Sequence, residues 1–193
     1  WARVVKEFMD LKKIKVASLF GSSQSGPATL RFGIEYPDRI GKIILQSSGV
    51  GGGQLFTPGP AEGIKALGVF AQNPIRANME HMMHLFIPKD ELCTEEMIDA
   101  RFKAALIPGH LEARAKLQTM RNADIRGEIH KLKAPVLVVW GHQDRMVPME
   151  GILPALAYIP NVRVHVWGGV TGHFIEYEHS DEFSRLVIDF LTH

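Results

Sequence analysis

A single cysteine, Cys93, stands in 193 residues, which excludes a disulfide framework and a multi-cysteine zinc site. No run of 18 apolar residues occurs, so no membrane-spanning helix is expected, and no signal-peptide pattern is read. Neither sign of charge is in excess: 22 Lys and Arg against 21 Asp and Glu leave a formal net charge of +1. That balance gives no support for a nucleic-acid partner or an anionic membrane surface. Internal repeats, low-complexity stretches and a dinucleotide-binding fingerprint are also missing. His81 and His84 lie three apart without a nearby third ligand, so no metal is expected, and no cofactor either. What remains is ordinary globular composition, 46% hydrophobic and 22% charged, and the expectation is a soluble protein of a reducing compartment, the cytoplasm.

The hydrophobic pattern alternates strand and helix. Lys15–Phe20, Ile43–Leu45, Pro135–Trp140 and Val162–Trp167 read as short buried strands. Trp1, Val4, Phe8 and Leu11 share one face of a first helix, and a second runs from Gln24 to Tyr36, stopping at Pro37. Residues 61–72, 75–87, 94–106 and 110–121 read as four helices in succession, and 180–192 as a last one. This order predicts an α/β fold with a mostly parallel sheet and one helical insertion. The expected division is a core of 1–54 and 131–193 and a helical lid of 55–130, in which Met79, Met82, Met83, Met97, Phe70, Phe86 and Phe102 supply adaptable apolar side chains.

Chemistry enters at Gly21-Ser-Ser-Gln-Ser-Gly26, between a strand and a helix. A sharp turn there lifts a serine hydroxyl out of the sheet and demands small neighbours two residues before and after it. Ser23 satisfies this best, with Gly21 before and Ser25 after. A serine needs a base held by an acid. Asp144 and His173 each follow the C-terminal end of a strand, where α/β folds place their sites. The order Ser, Asp, His is that of the α/β-hydrolases.

Four stretches carry a more specific resemblance: Glu35-Tyr-Pro-Asp-Arg-Ile-Gly-Lys-Ile-Ile-Leu45, Glu62-Gly-Ile-Lys65, Trp140-Gly-His-Gln-Asp-Arg-Met-Val-Pro148 and the run from Glu178 to Leu191. They resemble the meta-cleavage product hydrolases, α/β-hydrolases of bacterial aromatic degradation, and among them those of the biphenyl pathway. The resemblance implies a triad of Ser23, Asp144 and His173, and an oxyanion donor in the backbone N–H of Gln24. It also implies an arginine, Arg101, at the substrate's carboxylate or 2-oxo end, where a guanidinium suits an α-keto acid. Phe86 matches a lid aromatic near the substrate's variable end. The implied substrate is a vinylogous 1,5-diketone acid that ketonises, adds water and breaks a carbon–carbon bond to leave a dienoate and an acid.

Three positions depart from the family: Ser22 stands where Asn is usual before the nucleophile, Ser25 where Gly is usual, and Phe174 where biphenyl-pathway members have Trp after the histidine. Ser22 and Phe174 are nonetheless placed at the substrate, and Ser25 is expected to strain or re-aim the elbow. In the resembled fold the nucleophile follows the fifth strand, whereas here it follows the first. The four leading strands and the loop with the second oxyanion N–H are therefore expected to be lacking, a loss worth roughly 10²–10³ in kcat. The strand at 15–20 is then expected to carry a bare apolar edge, which pairs with a second copy or with an N-terminal segment. Two other functions fit the same residues: a carboxylesterase, for which Arg101 would have no carboxylate to meet, and an inactive truncated interaction module.

Overall fold

The computed structural model describes residues 1–48, 50, 56–57, 59–119 and 125–193, with the backbone alone at 117–119. Four strands, β1 (Ala17–Ser22), β2 (Ile40–Gln46), β3 (Val136–Gly141) and β4 (Val162–Trp167), form one parallel sheet in the order β1-β2-β3-β4. Both faces of the sheet are covered, as parallel strands require. The period of two is plain in β3: Val136, Val138 and Trp140 enter the core on one face, Leu137 and Val139 that on the other.

Helices α1 (Ala2–Leu11), α2 (Gly26–Glu35) and α7 (Ile152–Tyr158) contribute Met9, Leu30, Phe32 and Ala155 to the first core. The last helix, α9 (Ser180–Thr192), sets Phe190, with Phe183 and Leu186 packed beside it, against the second. A four-residue helix, α8 (Ile175–Glu178), which the sequence reading did not anticipate, precedes it. Between β2 and β3 lie α3 (Glu62–Gln72), α4 (Arg76–Phe86), α5 (Glu95–Ala105) and α6 (His110–Thr119). They have a core of their own, in which Phe70, Met79, Met83 and Ile98 are buried. Thr94 caps α5 by accepting from the Met97 amide at 3.3 Å. The expected boundary at 54–55 and the end of the fourth insertion helix at 120–121 lie outside the described residues.

One expected boundary needs correction, and one helix face turns outward. The strand before the nucleophile runs to Ser22 rather than Phe20, so Ser23 follows it directly. And the face of α1 bearing Trp1, Val4, Phe8 and Leu11 does not enter the core: these four are 72%, 52%, 55% and 78% exposed. Ala2 and Met9 are buried instead, with Val5 packed beside them. Two apolar stripes at helical spacing lie side by side on this helix, and periodicity alone cannot say which faces inward. The expected edge is present: among the described residues β1 pairs with β2 only, and Val16 and Phe20 are half exposed beside it.

Candidate active site

Ser23 opens a turn of 3₁₀-helix (Ser23–Ser25) between β1 and α2, with φ at +52°. A non-glycine residue held in the left-handed region is the strained conformation a nucleophile elbow imposes. The crowding falls one residue later than expected. A Cβ on Gly21 would lie 2.6 Å from Thr29 Oγ1, and one on Gly26 only 1.8 Å from Ser48 Oγ, so Gly26 at +3 is the position that must stay bare. Ser25 at +2 is exposed, and its hydroxyl donates to the Ser22 carbonyl at 2.8 Å. The hydroxyl therefore closes the turn, and the expected strain from Ser25 is not found.

Asp144 and His173, at the ends of β3 and β4, meet in a buried pair: His173 Nδ1 lies 2.8 Å from Asp144 Oδ2, with both residues under 10% exposed. Asp144 Oδ1 accepts the amides of Met146 and Val147, each at 2.9 Å. The turn carrying these amides is closed by the Trp140 indole N–H, which donates to the Val147 carbonyl at 3.0 Å. With Oδ1 occupied, Oδ2 is left to accept from Nδ1–H, which fixes the tautomer and leaves Nε2 as the basic nitrogen.

Two residues given no role in the sequence reading hold this geometry. Gln46, fully buried at the end of β2, donates from Nε2 to Ser22 Oγ at 3.4 Å, to the His173 carbonyl at 3.3 Å and to the Glu176 carboxylate. Among the described residues no hydrogen bond joins Ser23 Oγ to His173 Nε2, and Gln46 is the bridge between the elbow and the histidine loop. Glu178, in α8, accepts the Gly172 amide on both oxygens, at 2.9 and 3.0 Å. The only signal for Gln46 was a polar residue closing an apolar strand; Glu178 opened the last of the family-like stretches, but nothing there gave it a role.

The histidine loop is also stitched to the helical block. The His173 amide donates to the Phe86 carbonyl at 2.8 Å, and a Cβ on Gly172 would lie 2.3 Å from that same oxygen. Phe86 stacks on Phe174 with ring centroids 4.8 Å apart and stands edge-on to the His173 ring at 5.3 Å. The Arg101 guanidinium lies over the Phe174 ring, 5.2 Å from its centroid. Phe86, Phe174 and Arg101 line a cavity of about 160 Å³ beside His173. Of the residues singled out, Asp144, His173, Phe86, Phe174 and Arg101 are thus brought together directly, and Ser22 through Gln46. Gln24 is exposed at the elbow. A larger open cleft of about 690 Å³ lies between α7 and β4 with Asp144 on its wall, and neither Ser23 nor His173 is among the residues lining either cavity.

Comparison with known proteins shows the family. The chain is 36% identical over 194 residues to a 2-hydroxy-6-oxononadienedioate/2-hydroxy-6-oxononatrienedioate hydrolase of Paraburkholderia phymatum, spanning 98% of this chain and 67% of that protein. It is also 36% identical to a 2-hydroxy-6-oxo-6-phenylhexa-2,4-dienoate hydrolase of Burkholderia cepacia, spanning 99% and 68%. The chain belongs to the meta-cleavage product hydrolases. Its fold is that of the α/β-hydrolases: the meta-cleavage product hydrolase of Pseudomonas fluorescens superposes with a TM-score of 0.84 at 24% identity, covering all of this chain and 70% of that one. An esterase of Exiguobacterium antarcticum superposes with a TM-score of 0.81 at 17% identity, so the fold alone does not separate the two chemistries. No family model matches the chain.

In this hydrolase Glu178 gives a test of the loop. Burial pushes its carboxyl above the ordinary value of 4.5, more strongly than the Gly172 amide pulls it down. The folded state therefore binds this proton more tightly than the unfolded chain does. The stabilising contribution is full below pH 4.5 and is lost as the pH rises through the raised folded value. Glu178→Gln removes the titration, so the stability difference, wild type minus variant, should move in favour of wild type as the pH is lowered from 7 towards 4.5. Urea unfolding of both proteins across that range measures it; an opposite slope would mean that the carboxylate is held charged.

Proposed function

We propose that the hydrolase cleaves the carbon–carbon bond between C5 and C6 of a 2-hydroxy-6-oxo-2,4-dienoate, a ring-cleavage product of aromatic catabolism, in the cytoplasm. The observation that carries the reading is the cavity beside His173, which has Arg101 on its wall and neither Asp nor Glu among its described lining residues. A guanidinium without an acid partner beside the basic histidine suits an anionic keto acid and has no use on a neutral ester.

The reaction we propose uses these residues as follows. The proton of the 2-hydroxyl moves to C5, which turns the dienol into a ketone and leaves C5 able to depart with an electron pair. Ser23 Oγ adds to the C6 carbonyl as His173 Nε2 takes its proton, and Asp144 stabilises the imidazolium. The Gln24 N–H donates to the oxyanion on C6. When the C5–C6 bond breaks, the pair passes along the chain to the 2-oxo oxygen at Arg101, and the imidazolium supplies the proton. Water then takes the acyl group from Ser23. Catalytic hydrogen bonds are often long before substrate binds and tighten afterwards, which suits a Ser23 whose neighbour Ser22, rather than Ser23 itself, is linked to the His173 loop through Gln46. In this account the helical block is the lid, with Phe86 and Phe174 at the substrate's acyl end and Ser22 at the elbow.

Ser23→Ala is expected to reduce turnover of such a dienoate by several orders of magnitude while the unfolding transition stays in place. Arg101→Ala should raise KM or lower kcat on the dienoate and leave a nitrophenyl ester nearly untouched. Equal losses on both substrates would make Arg101 structural, and Ser23→Ala activity within about tenfold of wild type would remove Ser23 from the mechanism.

We also propose that the β1 edge is covered by another strand. Half-exposed Val16 and Phe20 lie at that edge, and the outward face of α1 adds Trp1, Phe8 and Leu11. Unprotected apolar edges template pairing. Light scattering of the purified 193-residue polypeptide should show a dimer or larger species. A monodisperse monomer with an ordered β1 would contradict this.

A further inference from the structure

The cavity beside His173 holds a second guanidinium that the reaction above does not use. Arg114, in α6, lines the same wall as Arg101. It is half-buried, and among the described residues it has neither a hydrogen bond nor an ion pair. The other lining groups are apolar apart from His110: the thioethers of Met79, Met82 and Met83 and the rings of Phe70 and Phe86 are typical of the surface. Burial alone pushes the Arg114 guanidinium below its ordinary value, with no acid opposing the shift. Other buried or half-buried arginines of the chain are matched: Arg76 meets Glu80, Glu95 and Asp99, and Arg31 meets Glu35 and Glu128.

A cation withdrawn from water without a counter-charge is costly, and a fold retains one where a ligand supplies the counter-charge. Arg114 is such a cation, and Arg101, exposed on the same wall, has no acid partner among the described residues either; a ligand with two anionic groups neutralises both, whereas a monoanion leaves one of them unpaired. The relatives include enzymes named for dienedioates as well as for a phenyl-substituted dienoate, and they match this chain equally well, so identity does not choose between the two.

We infer that Arg114 is a specificity-determining residue that binds a second, distal carboxylate of the substrate, so that the hydrolase prefers a 2-hydroxy-6-oxo-dienoate with an acidic side arm on C6 over one with an aryl group. This rests on the proposed reaction. Arg101 takes the carboxylate at the dienoate end and Arg114 the carboxylate at the acyl end. The acyl product of such a nine-carbon substrate is succinate, formed by adding one water across C5–C6; the aryl substrate gives benzoate.

The test compares kcat/KM for 2-hydroxy-6-oxonona-2,4-dienedioate and 2-hydroxy-6-oxo-6-phenylhexa-2,4-dienoate in wild type, Arg114→Gln and Arg114→Lys. Wild type should prefer the dienedioate. Arg114→Gln should lose about tenfold to a hundredfold on it, mostly through KM, with the phenyl substrate changed less than about threefold. Arg114→Lys should restore part of the loss, which a variant that merely misfolds would not show. Equal losses on the two substrates, or a wild-type preference for the phenyl compound, would overturn the inference. Calorimetric binding of succinate and of benzoate separates this from the reaction itself. If wild type turns over neither dienoate, the proposed reaction fails. Succinate binding that Arg114→Gln weakens at least about tenfold, with benzoate unaffected, would still support Arg114 as a carboxylate site, and succinate binding equally well to both proteins would end it.

Discussion

The contact between Asp144 and His173 is the constraint on which the rest of the structure depends. A carboxylate that is buried must have its lone pairs met, and here two backbone amides and one imidazole N–H meet them. Those partners come from two different loops, so the ends of β3 and β4 have to lie side by side. The parallel pairing of the two strands, in register from Val136 opposite Val162 to Gly141 opposite Trp167, delivers them there. Further bonds reinforce the arrangement: the amides of His142 and Gln143 donate to the carbonyls of Trp167 and Thr171, each at 2.9 Å. The histidine is thereby held in one tautomer with one nitrogen free, which a base requires.

From that pair the structure extends in two directions. Towards the elbow, Gln46 couples the His173 carbonyl to the strand that carries Ser23. Towards the helical block, the Phe86 carbonyl takes the His173 amide, and the stacked rings of Phe86 and Phe174 extend the contact to Arg101. The Asp144–His173 pair, the turn at Ser23 and the cavity wall are therefore one connected unit, and a shift of the histidine loop would be felt in all three. Glycine permits close approach at two of these places: a Cβ on Gly26 would overlap the Ser48 side chain, and one on Gly172 the Phe86 backbone carbonyl.

Much of this was legible in the sequence. The strands β1 to β4 and most of the helices follow from hydrophobic pattern, since each strand is a short apolar run and the longer core helices show a stripe; α8, one turn long, does not. Ser23, Asp144 and His173 were singled out by residue type just past strand ends, and the structure brings Asp144 and His173 into contact and sets Ser23 on the strained turn after β1. What was not legible is instructive. The outward face of α1 was hidden because two apolar stripes on one helix look alike without a partner to choose between them. Gln46 and Glu178 were hidden because a buried polar residue that bridges two loops obeys no local spacing; its partners, Ser22 and His173 for Gln46 and Gly172 for Glu178, are set by the fold. Arg114 was hidden for a related reason: whether a charge has a counter-charge is a tertiary fact. The distinction at Ser25 and Gly26 was a matter of a single residue, below what a turn motif resolves.

The central claim is that this site breaks a carbon–carbon bond by adding water at C6, and the fate of solvent oxygen tests it most directly. Turnover of a 2-hydroxy-6-oxo-2,4-dienoate in water enriched in oxygen-18 should yield a five-carbon dienoate and an acid with solvent oxygen in its new carboxylate, seen by mass spectrometry. An intact dienoate alongside a nitrophenyl ester that is readily hydrolysed would contradict the account and leave an esterase in its place.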